Sequence, residues 1–105
     1  MGREELYQLA FDLVLHSGNA RSLAMEALQE ARQRNFKEAK QKLTEADQEL
    51  LKAHQTQTKL LHKEAGGEGF DIPLMMIHAQ DHLMTAMTMK DMAVEMVDIR
   101  EEFLG

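Results

Sequence analysis

Residues 36–65 read FKEAKQKLTEADQELLKAHQTQTKLLHKEA, and their pattern indicates the fold class. Apolar residues recur along it at alternating spacings of three and four, which places their side chains on one side of an α-helix. Only Gln57 breaks the seam, and it is predicted to satisfy a buried group or to fix the register. The seam consists of Phe36, Ala39, Leu43, Ala46, Leu50, Ala53, Gln57 and Leu60. Since a helix buries such a stripe against other elements, the stretch predicts a helix from about Phe36 to Ala65 inside a bundle.

Two breaks separate this helix from a helical pattern on either side. The first contains Asn35 followed by Glu38, which is typical of an N-cap with its capping-box partner. The second is residues 66–73, in which glycines end one helix and Asp71 with Pro73 opens the next. The sequence therefore predicts three helical segments joined by two short connections.

The first helix is predicted at about residues 3–33 and the third at about residues 72–103. Residues 17–19 (Ser-Gly-Asn) are expected to interrupt the first helix. Gly18 should weaken or bend it, at a cost of about 1 kcal/mol relative to alanine, while allowing a close backbone approach. Long helices with short connections pack antiparallel. The sequence thus predicts an all-α fold, an antiparallel three-helix bundle that forms a single domain over residues 1–105.

The third helix differs from the other two because it has two apolar faces. One consists of Ala79, Leu83, Ala86, Ala93 and Val97, with Met76, Met87 and Val94 at its edge, and the opposite one of Leu74, Ile77, Met84, Met92 and Ile99. Polar residues such as Gln80, Asp91 and Asp98 are expected to face water from a narrow strip. Two partner helices with one stripe each cover only one of these faces. The pattern therefore predicts an oligomer that packs through the third helix.

Composition excludes several classes of protein. No cysteine occurs, which removes disulfides, thiolate metal sites and cysteine nucleophiles. The net charge is −6, from 12 Lys plus Arg against 18 Asp plus Glu. The chain therefore lacks the excess of positive charge that is typical of nucleic-acid-binding proteins. No apolar stretch approaches the roughly 18 residues that cross a membrane, and residues 1–5 lack the apolar core of a signal peptide. We expect a cytoplasmic protein that neither binds nucleic acid nor inserts into a membrane.

The candidate functional residues are concentrated in residues 78–82, which read His-Ala-Gln-Asp-His. His78 and His82 are four positions apart and so lie next to each other on one surface of the helix. Asp81 projects from the second apolar face, where a carboxylate is costly unless it is paired, protonated or bound to a cation. Two imidazoles beside such a carboxylate indicate a functional site.

Three interpretations of this cluster compete. In the first, the histidines are surface residues and Asp81 caps a local group. In the second, His78 and His82 bind zinc for hydrolysis, but the zinc-protease pattern needs a glutamate directly after the first histidine, where this chain has Ala79. In the third, a neutral imidazole is the nucleophile of phosphoryl transfer, and the protein supplies orientation and charge compensation.

Four ordered motifs connect these residues to a known family. They are Ser-Gly-Asn-Ala-Arg-Ser (17–22), Ala-His-Gln-Thr-Gln-Thr-Lys-Leu-Leu (53–61), Glu-Ala-Gly-Gly-Glu (64–68) and His-Ala-Gln-Asp-His-Leu-Met-Thr (78–85). With these motifs the chain resembles, over nearly its whole length, the lactose/cellobiose-type IIA proteins of the bacterial phosphoenolpyruvate-dependent sugar phosphotransferase system. The resemblance implies a homotrimer of three-helix bundles that acts as a phosphocarrier.

The resemblance also implies roles for individual residues. His78, the first histidine of the family's motif, would accept a phosphoryl group from the phosphocarrier HPr on Nε2. It would pass the group to a cysteine of the IIB component, which serves the membrane component IIC. Gln80 and His82 fall in the same motif as supporting residues of the active site. The family's metal-binding aspartate maps onto Asp81, so the expected cofactor is one structural Mg²⁺, or another divalent cation, held by one Asp81 from each of three subunits.

The transported sugar is expected to be a β-linked disaccharide of the cellobiose, chitobiose or lactose type. Ala79 stands where the lactose branch of the family is expected to have glycine, which favours β-glucosides or chitobiose. The alternative function belongs to a different class. It is a non-catalytic helical scaffold that trimerises through a metal-bound Asp81.

Overall fold

Three long α-helices make up most of the chain that the computed structural model describes, which covers residues 2–67, 69 and 71–104. They are α1 (Arg3–Arg32), α2 (Phe36–Ala65) and α3 (Leu74–Leu104). The all-α prediction is confirmed, and the bounds of α2 agree with the heptad pattern. The third helix begins later than predicted, after Pro73, whose carbonyl accepts a hydrogen bond of 2.9 Å from the amide of Met76. Met1, Glu68, Phe70 and Gly105, which fall within the predicted domain and its second connection, lie outside the described residues.

α2 runs antiparallel to both of its neighbours, as the side-chain pairs between helices show. Residue numbers that rise along α2 fall along its partner helices. The pairs are Lys42–Glu26, Glu49–His16 and Lys63–Glu5 between α2 and α1, and Lys40–Glu101, Asp47–Lys90 and Gln57–Gln80 between α2 and α3. α1 and α3 are therefore parallel, and the predicted antiparallel bundle is confirmed. The bundle measures 52 × 20 × 17 Å.

The inward sides of the helices carry mainly alanine and leucine, as the spacing predicts. Alanines let the backbones approach, and leucines fill the space between them. The buried apolar residues are Leu6, Ala10, Leu13, Ala20, Ala24, Ala27 and Ala31 of α1; Ala39, Leu43, Ala46, Leu50, Ala53 and Leu60 of α2; and Met76, Ala79, Leu83, Ala86, Ala93 and Val97 of α3. Phe36 of the predicted seam is only half-buried at the edge of this core, as are Leu9 and Leu28 of α1.

The first helix does not break at residues 17–19, so the expected interruption is wrong. α1 is helical throughout this segment. A Cβ atom placed on Gly18 would meet nothing within 4 Å, and no close backbone approach occurs there within the described chain. Ser17 is buried, and its hydroxyl has no hydrogen-bond partner among the described residues. The helix continues because burial of apolar side chains on both sides of the glycine outweighs its cost of about 1 kcal/mol.

The connection between α1 and α2 ends the first helix with a residue in the left-handed conformation. Arg34 has a φ of 64°, and the amides of Arg34 and Asn35 donate to the carbonyls of Ala31 and Glu30 at 3.0 and 2.9 Å. These two bonds satisfy carbonyls that otherwise lack partners at a helix end. Asn35 precedes α2 as predicted, but its side chain donates to Glu30 Oε2 instead of capping α2. The predicted capping box with Glu38 is therefore wrong, because the backbone of Asn35 is held by the end of α1.

The second apolar face of α3 is exposed in the single chain. Its members are between 52% and 79% exposed, and they are Leu74, Ile77, Met84, Met92 and Ile99. The prediction that α1 and α2 leave this face uncovered is confirmed. None of the helices among the described residues carries an apolar run long enough to cross a membrane.

His16 and Glu49 join α1 to α2 through a bond of 2.6 Å between Nδ1 and Oε2. This bond holds the pKa of the Glu49 carboxyl below its usual range, with help from Lys52 and Asn19, although partial burial acts in the opposite direction. Such a carboxyl stabilises the fold above the pKa that it has in the unfolded chain. The contribution is lost as the pH falls through the lowered pKa of the folded chain.

Replacing Glu49 with Gln is therefore expected to lower the free energy of unfolding at pH 7 by about 1 kcal/mol. The deficit relative to the wild type should shrink as the pH falls below about 4.3, the ordinary pKa of glutamate. Urea unfolding followed by circular dichroism at pH 7 and near pH 3 measures both differences. Glu64→Gln, at an exposed position of the same helix, is the control. A deficit that stays the same at both pH values would contradict the role given to the His16 bond.

Candidate functional site

The two histidines of residues 78–82 meet near the beginning of α3. Their Nε2 atoms are 3.0 Å apart, their ring centroids are 4.4 Å apart, and the ring planes are inclined at 78°. The four-residue spacing along the helix produces this contact. The predicted neighbourhood of His78 and His82 is confirmed.

The geometry of the pair fixes a relation between the two protonation states. A hydrogen bond between two Nε2 atoms needs one N–H donor and one lone pair. When Nε2 of His78 is the unprotonated atom, Nε2 of His82 therefore carries the hydrogen. His78 is exposed and His82 is half-buried. The imidazole of His78 is therefore the more accessible of the two.

Gln80 lies on a different side of α3 from the histidines. It is half-buried, and its Oε1 accepts a hydrogen bond of 2.6 Å from Nε2 of Gln57 on α2. Gln57 was predicted to satisfy a buried group or to fix the register, and it bonds to Gln80, a side chain that is only half-buried and so faces water in part. Two positions along a helix correspond to about 200° of rotation, which turns Gln80 toward α2. Its supporting role at His78 stays a prediction.

Asp81 is exposed on the outward face of α3, between the exposed side chains of Ile77 and Met84. Its backbone carbonyl accepts a hydrogen bond of 3.0 Å from Thr85 Oγ1, and its carboxylate makes no ion pair among the residues that the structure describes. No group of three His, Cys, Asp or Glu residues able to hold a metal ion occurs among the described residues of one chain. A carboxylate oxygen suits a hard divalent cation. The residues therefore fit the expected ion only if several chains each contribute an Asp81.

A cleft of about 430 Å³ opens beside the histidine pair, between α1 and α3. It is lined by Arg21 of α1 and by Asp81, His82, Thr85 and Met89 of α3. No role was predicted for Arg21 from the residues alone. It lies in the motif at residues 17–22, but only the register of α1 against α3 brings it to His82. Aligning the apolar stripes of α1 and α3 in parallel would have predicted that Arg21 lies near His82.

Comparison with solved structures defines the class of protein to which this bundle belongs. The crystal structure of PtcA from S. mutans superposes with a TM-score of 0.94 and 50% identity, covering 96% of this chain and 99% of that one. The solution structure of the IIA(Chitobiose)-HPr complex from the Escherichia coli phosphotransferase system matches with a TM-score of 0.83 and 36% identity, covering 95% of this chain and 97% of that one. The fold is that of the IIA proteins of the phosphotransferase system.

The sequence comparison then identifies the family. The chain belongs to the family "PTS system, Lactose/Cellobiose specific IIA subunit", whose model matches residues 8–101. The lichenan-specific phosphotransferase enzyme IIA component of Bacillus subtilis is 52% identical over 99 residues, which are 94% of this chain and 90% of that protein. The resemblance seen in the four motifs is confirmed, and the alternative of a non-catalytic scaffold is not supported.

Proposed function

We propose that this chain is a phosphocarrier that accepts a phosphoryl group from phospho-HPr on Nε2 of His78 and passes it to the IIB component. The observation that carries the proposal is the exposed imidazole of His78, whose Nε2 lies 3.0 Å from that of His82. A carrier atom must be reached by two different partners, and an exposed side chain near the end of a helix meets that need. The solved complex of a relative with HPr supports the identity of the donor.

The transfer begins with the lone pair on Nε2 of neutral His78. The imidazole turns away from the N–H of His82, and its lone pair attacks phosphorus as the bond between phosphorus and the leaving atom of HPr breaks. The electron pair of the broken bond stays on HPr. The N–H of His82, released from its bond to His78, can then donate to a phosphoryl oxygen. The second transfer reverses these changes, with a cysteine sulfur of IIB as the attacking atom.

The docking surface for both partners includes the rim around the first half of α3. Met75 on this rim is 45% exposed and Met89 is half-buried. Methionine side chains are flexible and adapt to different partner surfaces. Because a carrier must be released after each transfer, we expect a modest, transient interface with HPr and with IIB.

The proposed location of the protein is the cytoplasm. The proposed transported sugar is a β-linked disaccharide, which contacts only the membrane component IIC.

We also propose that three copies assemble through the outward face of α3. The exposed apolar side chains along that face, with Asp81 among them, are the support for this assembly. One Asp81 from each copy would hold a structural divalent cation such as Mg²⁺, which neutralises like charges that face one another. His78 and His82 carry out the transfer without this ion. The ion's contribution is to the assembly.

Incubating the protein with phosphoenolpyruvate, the general phosphotransferase proteins and HPr tests the proposed function. One phosphoryl group per chain is expected, in an adduct that is labile in acid and stable in base, as a phosphohistidine is. Adding IIB should discharge the adduct, and omitting HPr should prevent it. A chain that stays unlabelled with active HPr would contradict the proposal.

A further inference from the structure

We propose that Arg21 binds oxygens of the phosphoryl group on His78 and compensates their charge. This inference rests on the proposed phosphocarrier function and names a residue of that site. Arg21 comes from α1, whereas both histidines come from α3, so the site would be completed across two helices of one chain.

The position of Arg21 is the first support. It lines the cleft of about 430 Å³ together with His82 and Asp81, and Nε2 of His82 is 3.0 Å from Nε2 of His78. A phosphoryl group on Nε2 of His78 would therefore be added next to His82, a residue that lines the same cleft as Arg21. An arginine side chain has several rotatable torsions, so its guanidinium can take up different positions along the cleft.

The charge of the site is the second support. A phosphoryl group adds about two negative charges at neutral pH, and the groups around the cleft that His82 lines must compensate them. A neutral His82 offers one N–H, which leaves most of the added charge without a partner. Arg21 is the one Lys or Arg among the described residues that line this cleft. A guanidinium presents two parallel N–H groups that match a pair of phosphoryl oxygens.

The availability of Arg21 is the third support. Several lysines of the bundle are engaged in ion pairs, such as Lys42 with Glu26 and Lys90 with Asp47. Arg21 is exposed, and no carboxylate among the described residues is within ion-pair distance of it, although Asp81 lines the same cleft. Its guanidinium is therefore not committed to a structural contact within this part of the chain.

The test compares Arg21→Gln and Arg21→Lys with the wild type. Arg32→Gln is the matched control, because Arg32 is an exposed residue of the same helix outside the cleft. We expect Arg21→Gln to accept phosphate from phospho-HPr about 100-fold more slowly, the lower end of the range for loss of one charge-stabilising donor. Arg21→Lys should recover part of that rate, since it keeps the charge but not the two-pronged geometry. Circular dichroism should be unchanged in all three variants.

The phosphorus NMR signal of phosphorylated His78 separates charge compensation from partner docking. In Arg21→Gln the chemical shift and the hydrolysis lifetime of the adduct should both change, whereas Arg32→Gln should match the wild type. A slower transfer with an unchanged shift and lifetime would assign Arg21 to HPr docking and overturn the inference, as would transfer at the wild-type rate. Phosphoramidate, which phosphorylates imidazoles without HPr, allows the same comparison if HPr fails as donor. Failure of the proposed function is thereby distinguished from failure of the role of Arg21.

Discussion

A His78→Gln variant is expected to accept no measurable phosphoryl group from phospho-HPr while folding as the wild type does. Glutamine has no nitrogen lone pair that can attack phosphorus, and loss of a nucleophile lowers a transfer rate by at least about 10³-fold. The side chain of His78 is exposed, so its replacement should change the free energy of unfolding by no more than about 0.5 kcal/mol. Labelling from phosphoenolpyruvate and urea unfolding measure the two quantities on the same preparation.

The nearby His82 could accept the phosphoryl group in the His78→Gln variant, so the experiment needs further variants as controls. His82 is 3.0 Å away at Nε2 and is the group most able to accept the label when His78 is missing. His82→Gln keeps an N–H donor but changes its position, so it should slow transfer without preventing it. His54→Gln, at an exposed position on α2, is the matched control and should be labelled as the wild type is. Normal labelling of His78→Gln would contradict the assignment of the carrier atom.

If the proposed trimer forms around a cation, removal of divalent cations is expected to dissociate the wild-type assembly, whereas an Asp81→Leu assembly should persist without them. In the proposed trimer three carboxylates would face one another, and two such charges about 4 Å apart repel by roughly 4 kcal/mol at an effective dielectric constant near 20. Leucine removes this repulsion and continues the apolar face formed by Ile77 and Met84, which are 58% and 52% exposed in the single chain. Sedimentation with chelator, and again after adding Mg²⁺, measures the assembly.

Asp98→Leu tests whether any loss of an α3 carboxylate has the same effect. Asp98 is exposed on the same helix, outside the apolar face that carries Asp81. The assembly of the Asp98→Leu variant should therefore still depend on the cation. A monomeric Asp81→Leu protein with normal helicity would contradict the proposed role of the carboxylate. A wild-type trimer that is indifferent to chelator would contradict the role of the ion.

Both experiments concern residues whose positions could be read from the sequence. The contact between His78 and His82 follows from a spacing of four within one helix. The exposure of Asp81 follows from its place between Ile77 and Met84 on a face for which the chain has no other helix. Such features depend on the periodicity of a single helix, so one helical pattern is enough to predict them.

Features that depend on a competition between local and distant interactions were less predictable. Gly18 was expected to interrupt α1, but the helix passes through it because the residues on both sides are buried against α2 and α3. Asn35 has the chemistry of a helix cap, yet its amide completes the end of α1. In both cases the local preference is worth about 1 kcal/mol, which the packing of two long helices exceeds.

The three helices, the apolar seam of α2, the uncovered face of α3 and the histidine pair could all be predicted from residue spacing. The bond between Gln80 and Gln57 of α2, and the place of Arg21 of α1 in the cleft beside His82, became visible only in the folded chain. Periodicity indicates which side of a helix is buried, but it does not indicate how far one helix slides along another. That register is set by the fit of many side chains at once, and it brings residues distant in sequence to one site.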